Sequence, residues 1–137
     1  MSYRLIDHTA DFGIIVSGKT PEALFTNAGL SLTDLITDTS RLTGREDRKI
    51  WVSGDDWPDL MVNWLRELLY LWNGNELLVS HVSIDHLTET GLSARVQVEP
   101  FDPACHAIRH EIKAVTYHQI QVSSSADGWT STIIFDV

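Results

Sequence analysis

Two aspartates and a histidine crowd into Asp7-His8-Thr9-Ala10-Asp11. Calcium and magnesium are hard cations that take several oxygen ligands at a polar turn, so an aspartate in such a cluster has the right chemistry to bind one. Aspartates also cluster in turns because their side chains bond their own backbone, and spacing alone leaves both readings open. A second pair of negative groups lies at Ile134-Phe135-Asp136-Val137, where the Asp136 side chain sits beside the carboxylate of the final residue, Val137. Held together without a cation these groups repel, so packing them calls for a counter-charge. If the first and last strands are neighbours, Asp11, Asp136 and the Val137 carboxylate can converge on one ion. The sequence does not show that adjacency, and a solvated tail is the other reading.

Two further groups are weaker. Cys105-His106 with His110, and Asp102 nearby, offers zinc-type donors. It lacks a fourth strong ligand or a CxxC or HExxH frame, and a polar surface loop is the plainer expectation. Lys113 lies among apolar neighbours in Ile112-Lys113-Ala114-Val115, where it either holds an anion or runs its stem along a strand edge. Arg66 and Glu67 border an apolar helix face, a place where a solvated flank is the default. No P-loop, Rossmann glycine pattern or GxSxG occurs, and Cys105 stands in no nucleophile motif.

The elements that must position these residues can be read from periodicity. Tyr3 and Leu5, then Phe12, Ile14 and Val16, predict two short strands or one bent strand. Thr20-Pro21 starts a helix, followed by Leu24, Phe25, Ala28, Leu32, Leu35 and Ile36 at helical spacing. Residues 39–48 read as a loop, and Ile50 and Val52 as a strand. The clearest helix carries Trp57, Leu60, Met61, Trp64, Leu65, Leu68, Leu71 and Trp72 on one face, with Asp56 or Trp57 as cap, Pro58 in its first turn and Asn73-Gly74-Asn75 as its stop. The helical spacing assigns Trp57, Trp64 and Trp72 to packing. Val82 and Ile84, then Leu92, Ala94, Val96 and Val98, predict a hairpin turning at Thr88 to Gly91. Val115 to Val122 and Trp129 to Val137 predict a second hairpin about Ala126-Asp127-Gly128. Two main amphipathic helices and mostly antiparallel sheet make an α+β fold, in one domain spanning 1–137 and without an internal repeat.

Composition narrows the function classes. The 137 residues are 43% hydrophobic and 21% charged, as in a globular chain, and no apolar run approaches the length of a membrane span. The N-terminus does not fit a signal peptide, and a single cysteine suits a reducing cytoplasm. The net charge is −9, with basic residues scattered, so direct nucleic-acid binding is not expected. The acidity suits a metal ion, a basic protein partner or simply a solvated surface.

Four blocks in order resemble the archease family: Asp7-His8-Thr9-Ala10-Asp11-Phe12-Gly13-Ile14, Trp64-Leu65-Arg66-Glu67-Leu68-Leu69-Tyr70-Leu71, Ile112-Lys113-Ala114-Val115-Thr116-Tyr117-His118 and Ile133-Ile134-Phe135-Asp136-Val137. Together they cover essentially the whole chain. The resemblance implies a small cytoplasmic α+β protein that is not itself an enzyme. It implies an activator of the RNA-splicing ligase RtcB, promoting guanylylation and multiple turnover of that ligase in tRNA splicing and RNA repair. It also implies a bound divalent metal ion, calcium being expected, with Asp11, Asp136 and Val137 as ligands. Asp7, His8, Glu67 and Lys113 are then candidates for the functional surface. The alternatives are a chaperone-like modulator of RNA-modifying enzymes and a stand-alone metal-dependent hydrolase in which His8 is a general base.

Overall fold

A computed structural model describes residues 3–6 and 12–137. Asp7, His8 and Asp11 lie outside the described residues. Strands β1 (Tyr3–Ile6) and β2 (Phe12–Gly18) open the chain, followed by helix α1 (Pro21–Ile36) and β3 (Glu46–Ser53). Helix α2 (Trp57–Asn75) leads to β4 (Leu77–Thr88), β5 (Gly91–Pro100), β6 (Ala114–Val115), β7 (Gln121–Ser125) and β8 (Gly128–Asp136). The α+β class predicted from periodicity is the one observed, and among the described residues every strand pairing is antiparallel.

Two sheets form. In one, β8 is central: β2 lines one side of it, with β1 beyond, while β6 and β7 share the other side. In the second, β5 lies between β3 and β4. Helix α1 packs on β2 and β4, and α2 on β3 and β6. The core between them is filled by fully buried Ile14, Phe25, Leu60, Trp64, Ile133 and Phe135, among others. Trp64 is buried and Trp57 and Trp72 are half-buried against the core, as the helical spacing predicts. Among the described residues no helix is long and apolar enough to cross a membrane.

The expectation that the chain has no internal repeat is wrong. Strand β2 with α1, and β3 with α2, are two copies of one strand–turn–helix unit displaced by 36 residues. Ile14, Val16, Ser17, Gly18, Leu24, Asn27, Leu32 and Leu35 recur as Ile50, Val52, Ser53, Gly54, Leu60, Asn63, Leu68 and Leu71. The geometry repeats with the residues. Each helix is capped by a side chain accepting from the third residue on, Thr20 from Ala23 N–H at 3.1 Å and Asp56 from Asp59 N–H at 3.0 Å. Each asparagine amide reaches back to the end of its strand, Asn27 Nδ2 donating to the Ser17 carbonyl at 2.9 Å and Asn63 Nδ2 to that of Ser53 at 2.8 Å.

Both glycines exist for close approach. A Cβ at Gly18 would stand 2.5 Å from the Leu24 nitrogen, and one at Gly54 2.6 Å from the Leu60 nitrogen. The obstacle is backbone in the first helical turn, which cannot swing aside. Gly18→Ala and Gly54→Ala are each expected to destabilise by about 2 kcal/mol, the range of a forced overpacking. Urea unfolding of the two variants checks this, and a change below about 0.5 kcal/mol, ordinary for surface substitutions, would show that the turns yield.

Three boundaries differ from the sequence reading. Residues 39–48, expected as a loop, hold a short 3-10 helix at Thr39–Arg41 and the start of β3 at Glu46. Asn73-Gly74-Asn75 lies within α2, and the stop comes at Glu76, whose backbone takes the left-handed conformation (φ 54°, ψ 41°) and whose N–H donates to the Leu71 and Trp72 carbonyls. Gly74 makes room for the Tyr70 ring, which a Cβ would meet at 2.8 Å. The strand expected over Val115 to Val122 is broken into β6 and β7 by a turn at 116–120, closed by Ile120 N–H donating to the Tyr117 carbonyl and with Gln119 at φ 54°.

Candidate functional site

The fold brings together the last two blocks of the sequence at the far end of β8. Phe12 pairs with Phe135 across the β2–β8 ladder, and on the other side Val115 pairs with Phe135 and Ala114 with Asp136. Phe135 is fully buried and anchors the strand, while Asp136 and Val137 emerge exposed at the rim. The Lys113 N–H donates to the Asp136 carbonyl at 2.7 Å, so these two candidates are direct backbone partners. The Lys113 ammonium is exposed and makes no ion pair with any described residue. In sequence, Asp11 and Asp136 flank the terminal pair of the β2–β8 register.

Helix α2 fixes the segment that carries Lys113. Asn73 Nδ2 donates to the Ile112 carbonyl at 3.2 Å, and Arg66 Nε to that of Val115 at 3.2 Å. The Arg66 guanidinium lies 4.8 Å over the Tyr117 ring, and the Tyr117 hydroxyl donates to Asp59 Oδ1 at 2.6 Å. That hydrogen bond, followed by the Asp55 N–H, holds the Asp59 carboxyl below its ordinary range and pushes the Tyr117 hydroxyl up. Thr116 fastens the other side, its N–H and Oγ1 both donating to the Ile134 carbonyl. Lys113 therefore projects from a strap tied to α2 and to β8. Arg66, left by the sequence as a helix flank, is one of its main ties. Glu67, its neighbour, is exposed on α2 and makes no ion pair among the described residues.

Asp136, exposed at the β8 rim, offers carboxylate oxygens, the type hard cations take. Among the described residues no three His, Cys, Asp or Glu side chains cluster to hold a metal.

Of the zinc-type residues, Asp102, Cys105 and His110 are exposed, as a polar surface loop predicts, and only His106 is buried, in a hydrogen-bond network with Glu99. His106 Nδ1 accepts from the Asp102 N–H at 2.9 Å, which leaves its Nε2–H to donate to Glu99 Oε2 at 2.9 Å. Both ring nitrogens are thus used in an interior site. Glu99 Oε1 also accepts from Thr43 N–H at 2.6 Å and Gly44 N–H at 3.0 Å. Burial pushes the Glu99 carboxyl up, but the two backbone donors and His106 outweigh it and hold it below its ordinary value. The Cys105 thiol is directed at Asp102, whose hydrogen bond and charge push it up, away from nucleophile chemistry. His110 packs edge-on against Phe12, ring centres 4.6 Å apart.

Comparison with known proteins agrees with this architecture. The model of the archease protein family matches residues 3–137. A protein archease of Methanosarcina barkeri is 35% identical over 139 residues, covering 98% of this chain and 95% of its own. One of Sulfurisphaera tokodaii is 31% identical over 137 residues, covering 98% of each. The solution structure of Methanobacterium thermoautotrophicum protein 1598 superposes with a TM-score of 0.81 at 28% identity over 98% of each chain. The crystal structure of a Thermotoga maritima archease, named there a possible chaperone, shares the fold with a TM-score of 0.66 at 19% identity over 96% of this chain and 94% of its own. With a family match that spans nearly every residue and relatives above 30% identity along their whole length, this chain belongs to the archease family.

Proposed function

We propose that this chain is an accessory activator of an RtcB-type RNA ligase, promoting guanylylation and turnover of the ligase in tRNA splicing and RNA repair, and not itself an enzyme. The observation that carries the reading is the meeting of Lys113 and Asp136 at the rim of β8 on a chain of this family. Asp11, Asp136 and Val137 would hold a divalent cation, with calcium the expected ion. A cation so placed supplies positive charge that neutralises and orients phosphate oxygens. The chain's own residues do the positioning. Buried Phe135 fixes where Asp136 emerges, and the ties from Arg66, Asn73 and Thr116 fix Lys113 beside it. An ammonium at that rim attracts the nucleotide phosphates that guanylylation handles. The net charge of −9 suits docking on a basic protein surface rather than on RNA itself.

The test is guanylylation of a cognate RtcB-type ligase at substoichiometric amounts of this protein, compared with its Asp11→Ala and Asp136→Ala variants. The backbone bond between Lys113 and Asp136 survives the second substitution, so the strand end stays in place. Stimulation is expected to fall at least about tenfold in both variants while ligase binding persists, since a lost metal ligand removes several kcal/mol of charge stabilisation. Stimulation that survives both substitutions would reduce the rim to a structural feature. No stimulation by the unaltered protein would end the activator reading.

A further inference from the structure

Beside the strap that carries Lys113, a cleft of about 290 Å³ opens at the end of α2, lined by Trp72, Asn73, Glu76, Ile108 and Glu111. Its lining is mixed: Trp72, half-buried edge-on to Phe101, and Ile108, 39% exposed, supply the apolar part, and Asn73, Glu76 and Glu111 the polar part. Its walls are fixed by backbone bonds, from Phe101 N–H to the Glu76 carbonyl at 2.8 Å and from Arg109 N–H to that of Ile36 at 2.7 Å. Thr37 Oγ1 adds a bond to the Ala107 carbonyl at 2.8 Å. The carboxylates of Glu76 and Glu111 are exposed at the mouth, and neither pairs with a cation among the described residues. Arg109, near in sequence, is committed to Asp34 and Asp38. The cleft thus carries uncompensated negative charge, to which the C-terminal end of a 19-residue helix adds its own.

Glu76 is also the wrong residue for its place on local grounds. A left-handed helix cap favours glycine or asparagine, and the negative end of a helix favours a cation. Glutamate there meets both costs, and residues that break local rules in this way tend to serve function. We propose that this cleft seats a lysine or arginine side chain of a protein partner, its aliphatic stem on Trp72 and Ile108 and its charged head between Glu76 and Glu111. A metal ion fits less well, since two exposed carboxylates and the Asn73 amide leave a hard cation short of the roughly six or more oxygens it takes. Nucleic acid is repelled. The inference rests on the reading that the chain docks on an RNA ligase, and extends that docking to a surface adjoining the strap that carries Lys113.

The test measures binding of the RtcB-type ligase by calorimetry at low and moderate salt, for the unaltered protein and for Glu76→Asn, Glu111→Gln and the double variant. The double variant is expected to bind at least about tenfold more weakly, with a shallower salt dependence, as for loss of a desolvated charge pair. Glu76→Asn is expected to melt at or above the temperature of the unaltered protein while binding more weakly, a combination that a structural role does not produce. A double variant that binds within about twofold of the original, inside the scatter of neutral interface contacts, would overturn the cleft and leave the activator reading standing. A lower melting temperature for Glu76→Asn would overturn the claim that Glu76 is held against stability. Absence of any binding by the unaltered protein would remove the partner, and the cleft's role with it.

Discussion

Replacing Trp64 by alanine is expected to destabilise the fold by about 4 kcal/mol, a large share of the roughly 5–15 kcal/mol that holds a domain of this size together. The indole is fully buried and is the largest such side chain described. Its Nε1–H donates to the Phe25 carbonyl at 2.9 Å, tying α2 to α1 across the core. The ring lies against Gly29, where an added Cβ would stand 3.3 Å from Cζ2. Neither helix can move in to fill the space, because each is fixed at its start by a cap, an asparagine tie and a glycine contact. Trp64→Phe keeps most of the volume, loses the hydrogen bond and should cost about 2 kcal/mol. Urea unfolding of both variants tests the account, and an alanine variant that loses less than about 2 kcal/mol would mean the core collapses onto the gap.

Glu99→Ala is the second large effect, at about 3 kcal/mol. Its carboxylate is the hub between the loop at Thr43 and Gly44 and the loop that carries His106. Removing it strands the His106 Nε2–H in a site where the histidine side chain is only 3% exposed, so water cannot replace the lost acceptor. The pH dependence follows from the direction of the shift. Burial alone raises the carboxyl, yet Gly44, Thr43 and His106 bring it below its ordinary 4.5. The folded state therefore prefers the ionised form. The stability this contributes is present above pH 4.5 and is lost as pH falls through the lower folded value. Glu99→Gln should flatten that acid limb. An acid limb of unchanged slope in the glutamine variant would place the titration elsewhere.

How much of this could be read in advance depended on range. Both helices were legible, because Thr20 with Pro21 and Asp56 with Pro58 mark their starts and apolar spacing marks their inner faces. The β4–β5 hairpin was legible from alternation. Gly74 reads as a stop, yet the helix runs through it and ends at Glu76, whose left-handed backbone supplies the cap. The break between β6 and β7 was hidden because the residues on either side keep an apolar alternation, and the turn depends on bonds to Ile134, far along the chain. The repeat is faint in the sequence because its identities fall mostly on buried or turn positions, with unlike residues between. Of the candidate site, the residue types were visible. The meeting of Lys113 with Asp136 was not, since it requires β6 and β2 to flank β8, a fact of strand order that no local pattern encodes. His106 was misjudged for the same reason: its partner Glu99 reads as an ordinary strand residue.

The position of β8 has a further consequence, for the order of assembly. Every strand that borders it, β2, β6 and β7, comes earlier in the chain. During synthesis α1, α2 and the three-strand sheet can collapse from contacts already available, while β2 has only β1 beside it and offers a bare edge. Pairings so distant along the chain are slow to close, and an open strand edge invites association with other chains. The step that covers that edge is also the step that sets Asp136 against Lys113. A nascent chain short of β8 would thus be both adhesive and unable to form the rim. In this molecule the proposed working surface can exist only once the hazard of its assembly is past.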